Sequence, residues 1–235
     1  MDVEKLKQKI LDLAIRGKLV PQDPNDEPAS VLIEKIRAEK EKLVKEGKIK
    51  PSKEESYIYK GTDNCYYEKI GNNVINISDQ IPFEIPENWV WIRLNNLSLD
   101  IKAGGDCPEK YSKKKTNELT IPIYSNGIEN DGLYGYTDTP KIFKQSVTVS
   151  ARGTIGFACV RFTPYVPIVR LISIIPSFYI SLEYLALFIN ASNEKGSGTS
   201  TLQLTVPSIK PKLIAIPPYN CLLYTSPSPR DLSTS

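Results

Sequence analysis

Residues 145–161 read QSVTVSARGTIGFACVR, two strand-like runs joined by a glycine-containing turn that carries Arg152. In the first run, apolar residues at 147, 149 and 151 alternate with polar residues at 148, 150 and 152, which predicts a strand with one face on a core and the other, with Arg152, open to a partner. Gly153 and Gly156 allow a tight turn. Two interpretations remain: an arginine presented on a rigid hairpin to a phosphate or a guanine edge, and an ordinary hairpin with a solvated arginine.

Length and composition indicate a globular chain. The 235 residues are 40% hydrophobic and 24% charged, enough to bury a core. The apolar run at 165–175 is interrupted by Pro167 and Arg170 and falls short of the roughly 20 residues that span a bilayer. The N-terminus has no apolar signal-peptide core. We therefore expect a cytoplasmic protein with no membrane partner.

The chain contains no histidine, which excludes Ser-His-Asp and Cys-His catalysis and an HExxH zinc helix. The four cysteines form no CxxC pair, so neither a metal site nor a disulfide framework is expected. The net charge of +3 is uneven, because residues 61–100 hold two basic and six acidic residues, whereas residues 101–170 hold ten and six. The positive excess coincides with the hairpin at 145–161.

The first 50 residues predict two helices. Apolar residues at spacings of three and four predict an amphipathic helix over 2–16, ended by Gly17. Asp26, Glu27 and Pro28 begin a second helix that runs to about Glu46. These helices are predicted to pack on another helix, or alternatively to cover the domain that follows. Residues 51–80 predict a loose linker, with a small hairpin around 64–75.

A strand-rich domain is predicted over 81–220. Trp89 and Trp91 alternate with Val90 and Ile92 on its first strand. A single helix is expected at 181–191. Further extended segments are predicted at 120–124, 133–136, 146–150, 155–162, 166–175 and, as two pieces, within 202–216. The order of elements predicts an α+β fold, an N-terminal helical segment followed by a mixed, strand-rich domain.

Three groups of residues are candidates for contact with nucleic acid. Lys113, Lys114 and Lys115 lie in a segment without core periodicity and suit phosphates, or are simply solvated. Asn126, in a polar turn, suits a base edge such as adenine. Tyr124 either stacks on an exposed face or is half-buried in a strand.

The hydroxyl groups of Thr154, Thr199 and Thr201 are further candidates to approach bases or backbone. The last two lie in the segment GSGTST at 196–201, whose amides and hydroxyls could grip a phosphate. That segment lacks the third glycine of a dinucleotide fingerprint and the GK[ST] of a P-loop, so no cofactor is predicted. Residues 216–219, IPPY, lack the polar first residue of the tetrapeptide found in amino-methyltransferases, and no catalytic residue is assigned.

Several segments resemble the specificity subunits of type I restriction-modification systems. They are the helical segment 6–49, IPENWVWIRL at 85–94, GGDCP at 104–108, IPIYSNGIENDGLYGY at 121–136, SARGTIGFACVR at 150–161 and GTSTLQLTVPSIKPKLIAIPP at 198–218. The resemblance covers residues 1 to about 220. It implies a helical region at 1–50 that docks methyltransferase subunits, and one target recognition domain at 81–220 that reads half of a split double-stranded DNA site.

The resemblance also implies that the chain is not an enzyme, since methyl transfer and ATP-driven cleavage belong to the modification and restriction subunits. Two alternatives are a stand-alone S-adenosylmethionine-dependent DNA methyltransferase and a protein-interaction module with a solvated basic loop. The sequence departs from the family after Asn220, where CLLYTSPSPRD resembles the translation of a transposon-end adapter. Residues 221–235 are therefore expected to be non-native, and a second recognition domain is expected to be missing.

Overall fold

The structure, a computed structural model, describes residues 3–51, 55–192 and 203–224. The helices are α1 (Val3–Ile15), α2 (Ala29–Lys45), α3 (Leu94–Leu97), α4 (Leu182–Ser192), α5 (Val206–Ile209) and α6 (Tyr219–Tyr224). The strands are β1 (Ser56–Lys60), β2 (Tyr66–Ile70), β3 (Asn73–Asn76), β4 (Val90–Arg93), β5 (Ser98–Ala103), β6 (Ile121–Tyr124), β7 (Leu133–Thr137), β8 (Ser146–Val149), β9 (Ala158–Arg161), β10 (Val166–Pro167), β11 (Ile172–Pro176) and β12 (Leu213–Ile216). This composition confirms the predicted α+β class. None of the helices in the described ranges is long and apolar enough to cross a membrane.

The chain divides into two compact units. Unit 1 comprises Met1–Leu99, Ser177–Tyr184 and Pro211–Ser235, and unit 2 comprises Asp100–Pro176 and Leu185–Lys210. This division differs from the predicted boundary at residue 81, because residues 81–99 group with the N-terminal helices. The predicted non-native character of residues 221–235 stays a prediction.

In unit 1, both predicted N-terminal helices are present. Helix α2 buries one face, made by Ala29, Leu32, Ile36 and Lys40 at spacings of three and four. Helix α1 ends where Gly17 takes the left-handed conformation, with φ of 66°. Its apolar residues Val3, Leu6 and Ile10 stay exposed, so part of its apolar face is not covered within unit 1.

Residues 56–76 form an antiparallel sheet of order β1-β2-β3, where the sequence predicted a loose linker. The hairpin expected around 64–75 corresponds to β2 and β3. The sheet buries Glu68, which the Arg93 guanidinium neutralises through a 2.6 Å ion pair. Strand β4, which carries the predicted Trp91, pairs with β12 so that Trp91 lies opposite Ala215. The linker prediction failed because the sheet buries Glu68, and the arginine that neutralises this carboxylate lies 25 residues further along the chain.

Unit 2 contains two sheets, of order β10-β6-β7 and β5-β11-β8-β9. Strands β8 and β9 are antiparallel, which confirms the hairpin predicted from residues 145–161. The expectation of an open polar face is wrong for Thr148 and Ser150, which are buried. Their hydroxyl groups accept hydrogen bonds from Arg161 Nε and from Gly127 N, so polar side chains are satisfied inside the unit. Arg152 is exposed, as predicted.

Two other extended segments differ from expectation. The run at 166–175 is divided into β10 and β11 by Val169 and Arg170, both at positive φ. Within 202–216, the first piece is the short helix α5, not a strand. Thr205 and Ser208 form a capping box at its start, and Pro207 lies in its first turn, where a missing N–H costs nothing.

Candidate nucleic-acid interface

The loop that joins β8 to β9 presents Arg152. The Arg152 Nε and Nη2 atoms donate to Gln203 Oε1, at 3.3 and 2.8 Å, and the guanidinium remains exposed. The backbone N–H of Leu204 donates to the Ala151 carbonyl at 2.8 Å. Residues 203–204 therefore support the Arg152 side chain, and no carboxylate of the described residues neutralises it. Such a guanidinium can take a phosphate or the O6/N7 edge of guanine.

Asn126 connects this loop to a second one. Its Oδ1 accepts a hydrogen bond from the Ala151 N–H, and its Nδ2 donates to the Val169 carbonyl, both at 2.7 Å. Both the oxygen and the nitrogen of the amide are thus hydrogen-bonded to backbone groups. The expected contact between Asn126 and a base edge stays a prediction. In the structure, the side chain bridges the backbones of Ala151 and Val169.

The second loop is a turn at Val169 and Arg170 in the left-handed region, with φ of 51° and 61°. Their N–H groups donate to Gly105 and Gly104 at 2.9 and 3.2 Å. A Cβ at Gly104 would lie 2.7 Å from the Pro167 backbone, so only glycine permits this approach. Arg170 is exposed and is not among the residues predicted from the sequence to contact DNA. The available signal was an arginine that interrupts an apolar run.

Tyr124 is half-buried, and Arg161 covers its ring. The Arg161 Cζ lies 3.6 Å from the Tyr124 ring centroid, and the guanidinium also donates to Thr148 Oγ1 at 3.0 Å and to the Asp131 carbonyl. Arg161 is only 6% exposed. This arginine therefore organises the interior of the unit, and stacking of Tyr124 on a base stays a prediction.

Cys159 lies beside the same cluster. Burial raises the pKa of its thiol to about 11, although the nearby Arg161 opposes the shift. The thiol is therefore protonated at neutral pH and is a poor nucleophile. Among the described residues, no group of three or more cysteine, aspartate or glutamate side chains is arranged to hold a metal ion.

The predicted lysines form a separate basic segment. Lys113 Nζ lies 3.2 Å from the Tyr134 ring centroid and donates to the Tyr134 carbonyl at 3.1 Å, so this lysine is partly committed to the protein. Lys114 and Lys115 are exposed and form no side-chain ion pair with other described residues. They remain available to phosphates.

The predicted threonines are less accessible. Thr154 Oγ1 is buried and has no hydrogen-bond partner among the described residues. A contact between this hydroxyl and DNA would require the turn to move, and it stays a prediction. Thr199 and Thr201 lie outside the described residues.

Comparison with known proteins gives consistent matches. The model of the type I restriction modification DNA specificity domain matches residues 86–220. The EcoAI specificity subunit of Escherichia coli is 32% identical over 206 residues, which cover 87% of this chain and 28% of that protein. The EcoEI specificity subunit of Escherichia coli is 47% identical over 97 residues, which cover 41% of this chain and 13% of that protein.

Among solved structures, the S subunit of a type I restriction-modification system from M. genitalium gives a TM-score of 0.48 at 13% identity. The match covers 57% of this chain and 36% of that one. The chain spans less than a third of the length of the two Escherichia coli relatives. Because the family model covers more than half of its residues, the chain belongs to the type I restriction-modification DNA specificity family.

Proposed function

We propose that this chain recognises double-stranded DNA for a type I restriction-modification system and directs the modification and restriction subunits to their target. The observation that carries the proposal is the specificity-domain match over residues 86–220, the region that contains the exposed Arg152, Lys114 and Lys115. The chain itself performs no catalysis and needs no cofactor. The chain is proposed to act on DNA in the cytoplasm.

The DNA side of the proposal assigns different tasks to the two basic groups. Lys114 and Lys115 neutralise phosphates, which adds affinity on every sequence and makes binding salt-dependent. Arg152 is held by Gln203 at a fixed place on a rigid hairpin, as direct readout of a guanine requires. Lys113, Tyr124, Thr154, Thr199 and Thr201 complete the proposed set of residues at the DNA, and Asn126 supports the loop that carries Arg152.

The protein side of the proposal assigns subunit docking to the N-terminal helices. Val3, Leu6 and Ile10 on α1 are exposed to 78%, 39% and 42%, an apolar stripe that unit 1 leaves uncovered. A methyltransferase subunit that packs a helix on this stripe would remove it from water. The restriction subunit, an ATP-dependent translocase and endonuclease, is the second proposed partner.

Binding experiments on the assembled complex test this function. The chain, co-purified with modification subunits of a type I system, is incubated with a library of randomised duplexes, and bound DNA is sequenced at several salt concentrations. We expect enrichment of one sequence pattern and an affinity that falls steeply with salt. Absence of salt-dependent duplex binding would contradict the proposal and favour a protein-interaction module.

The alternative of a stand-alone methyltransferase is not supported, since the matching relatives are specificity subunits. Calorimetric titration of the chain with S-adenosylmethionine tests the point directly. We expect no binding, and micromolar affinity would reverse the assignment.

A further inference from the structure

We propose that Arg170 is a second DNA-contacting arginine that acts together with Arg152, and that Asn126 is the positioning residue that holds both. The proposal rests on the DNA-recognition function proposed above. It departs from the sequence prediction for Asn126, because it gives this side chain no contact with DNA.

Asn126 limits the distance between the two arginine-bearing loops. One amide group makes hydrogen bonds of 2.7 Å to the Ala151 N–H and to the Val169 carbonyl. The two backbones are therefore within about 8 Å of each other. Each arginine directly follows one of these bonded residues, at Arg152 and Arg170. A single side chain thus ties together the two loops that carry exposed guanidinium groups.

The turn that carries Arg170 has an unusual backbone conformation. Val169 and Arg170 are consecutive non-glycine residues in the left-handed region, which disfavours L-residues and above all a β-branched valine. Four hydrogen bonds maintain it. The Leu171 N–H donates to the Ile168 carbonyl across the turn at 3.0 Å. The other three run from the Val169 N–H to Gly105, from the Arg170 N–H to Gly104, and from Asn126 to Val169. Strain of this kind persists where the surroundings over-determine the backbone, and it is concentrated at functional sites.

The same turn presents the positive charge of Arg170 to solvent. The Arg170 guanidinium is exposed and forms no hydrogen bond or ion pair with the other described residues. Arg161, by contrast, is 6% exposed and is fully engaged inside the unit. A fixed backbone that carries an unpaired guanidinium favours an anionic partner. Base pairs rise about 3.4 Å each, so the two bonded backbones are separated by about two to three base pairs, and side chains that start from them can address neighbouring positions.

Library selection with the assembled complex separates the members of this site. Arg170→Ala is compared with Arg152→Ala and with Lys144→Ala, a charge-matched control at the opposite end of β8, where Lys144 is exposed. We expect Arg170→Ala to weaken binding about tenfold and either to relax one base position near that of Arg152 or to lower the salt slope by about one. A folded Arg170→Ala complex that behaves as Lys144→Ala does would overturn the assignment of Arg170.

The role of Asn126 is tested with a substitution that removes one of its two hydrogen bonds and keeps the other. Asn126→Asp keeps an acceptor for the Ala151 N–H but loses the donor to Val169. We expect this variant to keep the preference that depends on Arg152 and to lose the contribution of Arg170. Its added charge lowers affinity on all sequences equally, so position-wise preference is the readout. Retention of both contributions would contradict the positioning role.

A multiple-variant cycle separates positioning from direct contact. In the Arg152→Ala, Arg170→Ala background, Asn126→Ala is expected to cost less than about twofold in affinity, because its effect passes through the two arginines. A tenfold loss in that background would mean that Asn126 contacts DNA itself. Melting curves and co-purification with the modification subunits establish that each variant folds. If the wild-type complex does not bind duplex DNA, the proposed function fails and this inference fails with it. If only the variants behave unexpectedly, the inference fails alone.

Discussion

Arg93 on β4 forms a bidentate ion pair with the carboxylate of Glu68 on β2, in which Nε donates to Oε1 at 3.1 Å and Nη2 donates to Oε2 at 2.6 Å. The two side chains are 14% and 7% exposed. Removing one partner of such a buried pair leaves the other charge desolvated and uncompensated, which destabilises the fold.

Replacement of Glu68 by glutamine is expected to destabilise the protein by about 2 kcal/mol, because Arg93 loses its counter-charge while staying largely buried. Urea unfolding at pH 7 measures the change. Glu84→Gln is the control, since Glu84 forms an exposed ion pair with Lys60 and should change stability by less than about 0.5 kcal/mol. Equal effects of the two substitutions would contradict the importance of the buried pair.

The same pair predicts a pH dependence. Burial alone would raise the pKa of Glu68, but hydrogen bonds from Arg93 and Ser56 outweigh it, and the pKa is lowered from its usual 4.5. The stabilisation is therefore present above pH 4.5 and is lost as the pH falls through the lowered value. We expect wild-type stability to fall more steeply on acidification than that of Glu68→Gln.

Lys40 predicts a second pH dependence, at high pH. Lys40 is 6% exposed, and its ammonium group donates to the carbonyls of Asn95 and Asn96 at 3.2 and 3.1 Å. Burial lowers the pKa of Lys40 below 10.5. Between the lowered value and 10.5 the unfolded chain binds more protons, so this residue's contribution to stability rises with pH. Lys40→Met is expected within about 1 kcal/mol of wild type at pH 7. Denaturation between pH 7 and 10.5 should show the free energy of unfolding of wild type rising relative to that of the variant. A difference that stays constant with pH would contradict the lowered pKa of Lys40.

Lys115→Ala addresses the phosphate contacts. Loss of one contact should weaken binding similarly on every duplex and lower the slope of log affinity against log salt by about 0.9. Titrations of the assembled complex at four salt concentrations measure the slope. Lys115→Arg retains the charge and should retain the slope, whereas a loss confined to one sequence would indicate base readout by this lysine.

Val169→Gly is expected to stabilise the protein by about 1 kcal/mol, because glycine adopts a φ of 51° without the penalty that a β-branched residue incurs. Thermal melting measures the gain. Val169→Ala removes the exposed branches but keeps the Cβ, so it should gain less. If both variants melt below wild type, the valine side chain contributes packing that outweighs the strain.

The elements that the sequence predicted correctly depend on local pattern. The spacing of apolar residues on α2 predicted its buried face, and the alternation from Val147 to Ala151 predicted strand β8, although not the burial of both its faces. The elements it missed depend on distant partners. Arg93 neutralises Glu68, which the sheet at 56–76 buries, and Asn126 and two glycines bond to the backbone of the left-handed turn at Arg170. No local propensity encodes these relationships, so the candidate site was predicted in part and Arg170 was not.

The register of β4 with β12 also limits when this protein can fold on the ribosome. Leu213, the partner of Arg93, is synthesised 120 residues later. At a translation rate of roughly 5–20 residues per second, the N–H and C=O groups of β4 that face β12 wait about 6–24 s for their partners. During that interval the edge of β4 is open to strands of other nascent chains. A chaperone that shields this edge should therefore raise the yield of folded protein more than one that acts after release.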